Sequence, residues 1–273
     1  IATLRQRGVY VVEPASGRLA GGDIGVGRLA DPAAIFDQIV QLLTPGDLYG
    51  THVVVTAGGT REPIDAVRVI ANRSSGKQGF AIAAEAAIRG AKVTLISTVE
   101  LSVPYGVDIV IVETAAQMQD AVTDVAGGAD VIVMAAAVAD VRPKRSVSEK
   151  LKKNSVTGRI ASLETLDLEP TPDILAGLGA TKRHGQVLVG FAAETENLVE
   201  NALAKLNRKN VDLVVANNVA IPGVGFGHDT NAVTLVFRDE PPREVALADK
   251  RLIAREVLDS VVRIRKSRLE EPQ

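Results

Sequence analysis

The chain has 273 residues, 46% of them hydrophobic, a formal net charge of −2 and no cysteine. That length and apolar content can bury one large core with a smaller appendage, and the missing cysteines exclude disulfides, thiolate metal sites and cysteine nucleophiles. Near-neutral charge with only 3% aromatics argues against a nucleic-acid surface, no apolar run reaches the roughly 18 residues of a membrane span, and no signal peptide is visible, so a cytoplasmic protein without nucleic-acid or membrane partners is expected.

Residues 1–48 stand apart. Five glycines fall between Gly17 and Gly27, and Pro45-Gly46 marks a boundary, so this stretch reads as a separate segment or linker, with residues 49–273 as the main domain. The first residue is Ile1 rather than Met, which is taken as the start of a piece of a longer product. His52–Ala57 reads as a buried strand, Gly79–Arg89 as a helix stopped by Gly90, and Lys92–Ser97 and Val107–Glu113 as strands. Thr114 is placed to N-cap a helix reaching Ala126, and Asp130–Ala135 is a strongly apolar strand. Asp140–Ser155 is polar, rich in Lys and Arg and without period, and reads as a long mobile loop. Beyond it come a short helix at Pro172–Leu178, a strand at Gln186–Ala192, a helix at Asn197–Lys209 and a strand at Asp212–Ala216. A hairpin of Asn231–Phe237 with Arg243–Ala248 and a helix near Lys250–Arg265 close the chain. The strand–helix rhythm predicts an α/β fold: a Rossmann-like, doubly wound, mostly parallel sheet with helices on both faces and a C-terminal hairpin.

Gly25-Val26-Gly27-Arg28-Leu29-Ala30 spells a dinucleotide fingerprint but follows a glycine-rich loop instead of a strand, so it is read as a chance match. Ser75-Gly76-Lys77 fails the Walker pattern, because residue 71 is Ala and residue 78 is Gln. Asn72-Arg73-Ser74-Ser75-Gly76-Lys77 still forms a small cationic turn ahead of a helix, which suits an anion and equally suits an ordinary capped turn. Gly58-Gly59 after the first strand lets a ligand near the backbone, or simply makes a tight turn. Met134, Ala135 and Ala136 lead off a strand toward Asp140, leaving room for a flat ligand beside a carboxylate that can meet a metal-bound phosphate; a close-packed strand end is the plainer account. Lys150, Lys152 and Lys153 share the loop, and Lys205 and Lys209 share a helix face; each cluster alone is an ordinary solvated face, and together they suit a polyphosphate. The three histidines have no ligand spacing.

Taken in order, Thr60 to Asp65, Asn72 to Lys77, Ala135 to Asp140, Glu149 to Lys153, Pro172-Asp173-Ile174, Gly190 to Thr195, Lys209-Asn210 with Asp212, and Phe226-Gly227 through Asn231 resemble the blocks of the phosphopantothenate–cysteine ligase family over about residues 50–265. Gly17 to Ala20 with Gly25 to Arg28 resembles the end of the flavin-dependent decarboxylase domain that often precedes this ligase in one bifunctional chain. Gly21 stands where that family commonly has a reactive cysteine. The resemblance implies coenzyme A synthesis: 4′-phosphopantothenate is activated by CTP as an acyl-cytidylate, then condensed with L-cysteine to give 4′-phosphopantothenoylcysteine, CMP and pyrophosphate. It implies catalytic roles for Asn72 and Lys150. CTP contacts are implied at Met134, Ala135, Ala136, Asp140, Lys150, Pro172, Asp173, Ile174, Leu175, Phe191, Lys205 and Lys209. Phosphopantothenate contacts are implied at Gly59, Asn72, Arg73, Ser74, Ser75 and Gly76. It further implies Mg2+ carried mainly on the CTP phosphates with Asp140 as its protein contact, FMN only in the upstream decarboxylase domain, and a homodimer, in a larger assembly when fused, for which the tail hairpin is a candidate pairing element. An NAD(P)-dependent dehydrogenase, which needs a fingerprint after the first strand, and a non-catalytic nucleotide-binding domain are the competing readings.

Overall fold

The structure is a computed structural model and describes residues 1–43, 46–152, 165–218 and 227–270. In chain order the elements are α1 (Ala2–Gln6), β1 (Ala15–Arg18), β2 (Ile24–Arg28), α2 (Pro32–Leu43), β3 (His52–Ala57), β4 (Arg61–Pro63), β5 (Val69–Ala71), α3 (Lys77–Ile88), β6 (Lys92–Ser97), β7 (Val107–Ile111) and α4 (Ala115–Ala126). They continue with β8 (Val131–Met134), β9 (Val141–Pro143), β10 (Leu168–Pro170), α5 (Ile174–Thr181), β11 (Val187–Glu194), α6 (Leu198–Arg208), β12 (Leu213–Asn218), β13 (Thr230–Phe237), β14 (Arg243–Asp249) and α7 (Lys250–Glu270).

β-Branched runs such as Val53-Val54-Val55 and Val131-Ile132-Val133 are buried on both faces, as strands covered by helices on either side must be. They form an eight-stranded sheet in the order β14-β13-β12-β11-β8-β3-β6-β7. The six strands from β12 to β7 are mutually parallel, and β13 and β14 are added antiparallel. Alternate residues split the core. Val53, Val55 and Ala57 face α3 and α7, through Phe80, Ile82, Ile253 and Leu258. Val54 and Ile132 face α4, α5 and α6, through Met118, Ile174 and Leu206. β3 is first in the chain among the parallel strands and β8 is fourth, so the winding reverses between them. In such sheets the crevice at the carboxyl ends of those two strands is where ligands bind.

The α/β reading therefore stands, with its long strands and helices near their predicted places, and the differences have local causes. The hairpins β4–β5 and β9–β10 were not expected; strands of three residues are too short to show a period. The segment expected to be a loop from Asp140 accordingly begins with β9, and Lys153, Asn154 and Ser155 lie outside the described residues. Gly25, Val26 and Gly27 sit within β2, which pairs with β1, so the fingerprint has no helix after it. The boundary expected at residue 48 falls in packed chain. Leu48 is buried, Asp47 pairs with the buried Arg89, and Gln41 of α2 donates to the Ala87 carbonyl at 2.9 Å. Among the described residues no helix is long and apolar enough to cross a membrane.

Gly79 sets how closely α3 approaches β3. A Cβ there would lie 2.6 Å from the Ala57 Cβ and 2.8 Å from the Thr56 carbonyl oxygen, whereas one at Gly177 of α5 meets nothing within 4 Å. Gly79→Val is expected to destabilise the chain by about 1–3 kcal/mol through overpacking. Gly177→Ala is expected to stabilise it by about 0.5–1 kcal/mol through helix propensity. Denaturant midpoints check both, and shifts of the same sign would contradict this packing.

Candidate functional site

The chain leaving β3 and the chain leaving β8 stay parallel beyond the end of the sheet. Ala137 N–H donates to the Gly58 carbonyl at 2.8 Å, and Thr60 N–H donates to the Ala137 carbonyl at 3.3 Å. The buried Thr60 hydroxyl oxygen accepts from Ala139 N–H at 2.9 Å. Thr56 does the same one turn earlier, accepting from Ala136 N–H at 3.1 Å. Close approach here requires glycine: a Cβ on Gly59 would sit 2.6 Å from the Asn72 carbonyl oxygen. Asn72 is thereby laid across the β8 exit, and its Nδ2 donates to the Val138 carbonyl at 3.0 Å.

The rest of the block after β3 holds neighbouring elements in place. Arg61 N–H donates to the Glu113 carbonyl at 2.9 Å, and buried Glu62 accepts from Ala115 N–H at 2.8 Å at the start of α4. Thr114 and Gln117 complete a reciprocal capping box there, as the N-cap reading expected. Asp65 accepts from the amides of Val67 and Arg68, both at 2.8 Å, from Leu151 N–H at 3.2 Å, and from the Arg68 guanidinium. Burial pushes its carboxyl up, but these donors together outweigh burial and hold its pKa at about 2. Asp65 thus ties the residue next to Lys150 to the β4–β5 turn.

Over these segments lies a cavity of about 840 Å³ at the β3/β8 reversal. Its walls come from the turn before α3, the β8 exit, the approach to α5, the end of β11 and one face of α6. Of the residues expected at the site, Asn72, Arg73, Ser74, Ser75 and Gly76 line it, as do Met134, Ala135, Ala136 and Asp140. Pro172, Asp173, Ile174, Leu175, Phe191, Lys205 and Lys209 line it too. Gly59 lies beneath Asn72, and Lys150 is exposed; neither is on the cavity wall. Phe226, also in the resemblance, is outside the described residues.

Several side chains carry partners that sequence could not specify. Asp173 N-caps α5 by accepting from Ala176 N–H at 3.0 Å, and its other oxygen pairs with the Lys209 ammonium. Lys205 donates to the Phe191 carbonyl. Burial holds the Lys205 pKa below the usual lysine value, with Glu194 and Asp140 opposing and Arg208 adding to the shift. Arg208, Asn217, Asn231 and Lys250 also line the cavity and were not singled out as contacts. For Arg208 the signal was available, since it sits on α6 within one turn of Lys205. In all, six lining side chains are cationic (Arg73, Lys77, Lys205, Arg208, Lys209 and Lys250) against the carboxylates of Asp140 and Asp173. The cavity is an anion site in a chain whose net charge is −2. Among the described residues no group of three or more His, Cys, Asp or Glu could hold a metal ion.

The DNA/pantothenate metabolism flavoprotein C-terminal domain family matches residues 48–264. The chain is 46% identical over 279 residues to the coenzyme A biosynthesis bifunctional protein CoaBC of Mycobacterium tuberculosis (strain ATCC 25618 / H37Rv), covering 96% of this chain. It is 43% identical over 275 residues to the protein of that name from Bacillus subtilis (strain 168), covering 97% of this chain. It spans 65% of the length of each of these relatives. A crystal structure of the C-terminal domain of coenzyme A biosynthesis bifunctional protein CoaBC superposes with a TM-score of 0.68 at 38% identity, over 81% of this chain and 99% of that one.

Asp65 gives the site a stability signature. Its folded pKa lies below the unfolded value of about 3.9, so its contribution is full above that value and is lost as pH falls through about 2. Asp65→Asn is expected to be less stable than wild type at pH 7, with the gap closing through that window. Denaturation midpoints at stepped pH measure it, and a gap independent of pH would contradict the assignment.

Proposed function

This chain belongs to the DNA/pantothenate metabolism flavoprotein C-terminal domain family, and we propose that it is a CTP-dependent phosphopantothenate–cysteine ligase. The observation that carries this reading is the cationic cavity at the sheet's reversal point, with an uncapped helix start on one wall and a lysine-bearing helix on another. CTP and 4′-phosphopantothenate both bring phosphates, and one cavity of about 840 Å³ brings them together.

The reaction needs a carboxylate oxygen of phosphopantothenate to attack the α-phosphorus of CTP, expelling pyrophosphate and leaving an acyl-cytidylate. The amine of cysteine then attacks the acyl carbon, and CMP leaves with the original carboxylate oxygen. No covalent bond to protein is required, so alignment and charge stabilisation supply the rate. Asn72 is held by Val138 at the rim where the Asn72–Gly76 turn meets the β8 exit, and it orients the reacting carboxyl. Ala135 and Ala136 keep the backbone accessible to the nucleotide, and Phe191 with Ile174 and Leu175 supplies the apolar wall. Lys205 and Arg208 offer positive charge to the nucleotide, while Lys209, through Asp173, fixes the α5 start. Lys150 follows from the loop tied at Leu151 and closes over the intermediate, excluding water that would hydrolyse it.

Asp140, one exposed carboxylate beside nucleotide phosphates, fits what Mg2+ accepts, which is one or two carboxylates plus phosphate oxygens. The ion, when bound, neutralises phosphate charge. A homodimer is part of the proposal. β14 is an edge of the large sheet with Leu247 exposed, and so offers one pairing surface.

Pyrophosphate release from CTP and Mg2+ is expected to require 4′-phosphopantothenate, with CMP and the amide forming once cysteine is added. Asn72→Ala and Lys150→Gln are each expected to lower kcat by roughly 10²–10³-fold with melting unchanged, since both side chains are exposed. Full turnover in both variants would remove them from the mechanism. CTP binding without pyrophosphate release under any condition would favour a nucleotide-binding domain over a ligase.

A further inference from the structure

Lys205 and Lys209 lie on α6, on one side of the cavity, and both are engaged by protein groups. On another wall, two lysines from distant parts of the chain come together. Lys77 opens α3 and Lys250 opens α7, and both line the cavity. The two helix starts are clipped to each other. The Lys77 ammonium reaches Asp229 Oδ1 at 2.6 Å, Lys250 N–H donates to the Asp229 carbonyl at 3.0 Å, and Gln78 Nε2 donates to the Lys250 carbonyl at 3.2 Å. The Lys250 ammonium donates to the His228 carbonyl. Asn231, also buried, faces the same space.

Lys250 is only 6% exposed. Burial first, and the neighbouring Lys77 second, hold its pKa below the usual lysine value, with Asp229 and Asp249 offsetting part of this. Two ammonium groups within each other's field at the wall of a cavity favour an anion between them. Beside them α3 starts at the left-handed Gly76 with no side-chain cap, so its first amides also point toward that space.

We propose that Lys77 and Lys250 bind the terminal two phosphates of the nucleoside triphosphate and hold the pyrophosphate as it departs. This rests on reading the cavity as the site where a nucleotide activates a carboxylate. In that step the carboxylate oxygen bonds to the α-phosphorus, the bond from the α-phosphorus to the bridging oxygen breaks, and the electron pair leaves on pyrophosphate. Negative charge gathers on the leaving β-phosphate, where the two ammonium groups neutralise it. CMP lacks both phosphates, so the pair also separates substrate from product: it grips CTP and not CMP.

The test is calorimetric titration of CTP, CMP and inorganic pyrophosphate into the wild-type chain, Lys77→Gln, Lys250→Gln and Lys77→Arg. Charge-assisted contacts of this kind correspond to losses on the order of tenfold or more each. Both Gln variants are expected to weaken CTP and pyrophosphate by that factor while CMP binds as in wild type, and Lys77→Arg is expected to retain most of the CTP affinity. Lys77 is partly exposed, so its variant decides the matter even if Lys250→Gln fails to fold. Wild-type preference for CTP over CMP that survives in Lys77→Gln would overturn this proposal and leave the ligase reading intact. A wild-type chain that binds pyrophosphate through these lysines but neither nucleotide would uphold the lysine pair and sink the nucleotide reading. Binding of none of the three would overturn both.

Discussion

The site depends on two stretches of backbone staying parallel after their strands have ended. β3 and β8 are neighbours in the sheet at the place where the winding reverses, so their exits would ordinarily splay toward opposite faces. Here Thr60 holds them together, donating its amide to Ala137 and accepting from Ala139 N–H on its hydroxyl. Thr60 is fully buried, and a buried amide left without its acceptor costs about 1–3 kcal/mol. The pairing is therefore held by backbone satisfaction, independently of any ligand. Gly58 and Gly59 make the approach feasible, the first at φ 87° and the second against the Asn72 backbone. From this clamp follow the position of Asn72, the exposure of the Ala135–Val138 backbone and the opening of the cavity above.

The electrostatic plan is local. A chain of net charge −2 gives no hint of an anion site, and by that measure a polyphosphate ligand would have no special claim on it. Folding concentrates six cationic side chains against two carboxylates on one cavity. They do not form one cluster. Lys205, Arg208 and Lys209 come from α6, while Lys77 and Lys250 come from two helix starts clipped through Asp229 and Gln78. A nucleoside triphosphate is long and carries its charge at one end, and a cavity whose separate walls bear cations can orient such a ligand as well as hold it.

The parallel sheet was legible because its strands are long, β-branched and separated by helices with clear stops; Thr114 with Gln117 even announced its capping box. The three-residue hairpins were not legible, and neither was the packing of residues 46–48 against α3, where Leu48 enters the core. At the site, the resemblance gathered residues that do line one cavity. What it could not carry was what each side chain touches. Asp173 reads as a ligand contact in sequence, yet its carboxylate caps α5 and pairs with Lys209. Thr60, Glu62 and Asp65 read as parts of a glycine-led ligand loop, yet they are buried and hold other elements in register. Lys250 had no local signal at all, because it is drawn to the cavity only by the docking of α7 beside α3.

The central claim is that this cavity joins a carboxylate oxygen to the α-phosphorus of CTP. Its most direct test follows the oxygen. With 4′-phosphopantothenate labelled with 18O in its carboxylate, one labelled oxygen is expected in the phosphate of each CMP produced, and the other in the amide carbonyl. Label in pyrophosphate or inorganic phosphate, with none in CMP, would mean that the carboxylate attacks another phosphorus and would contradict the account.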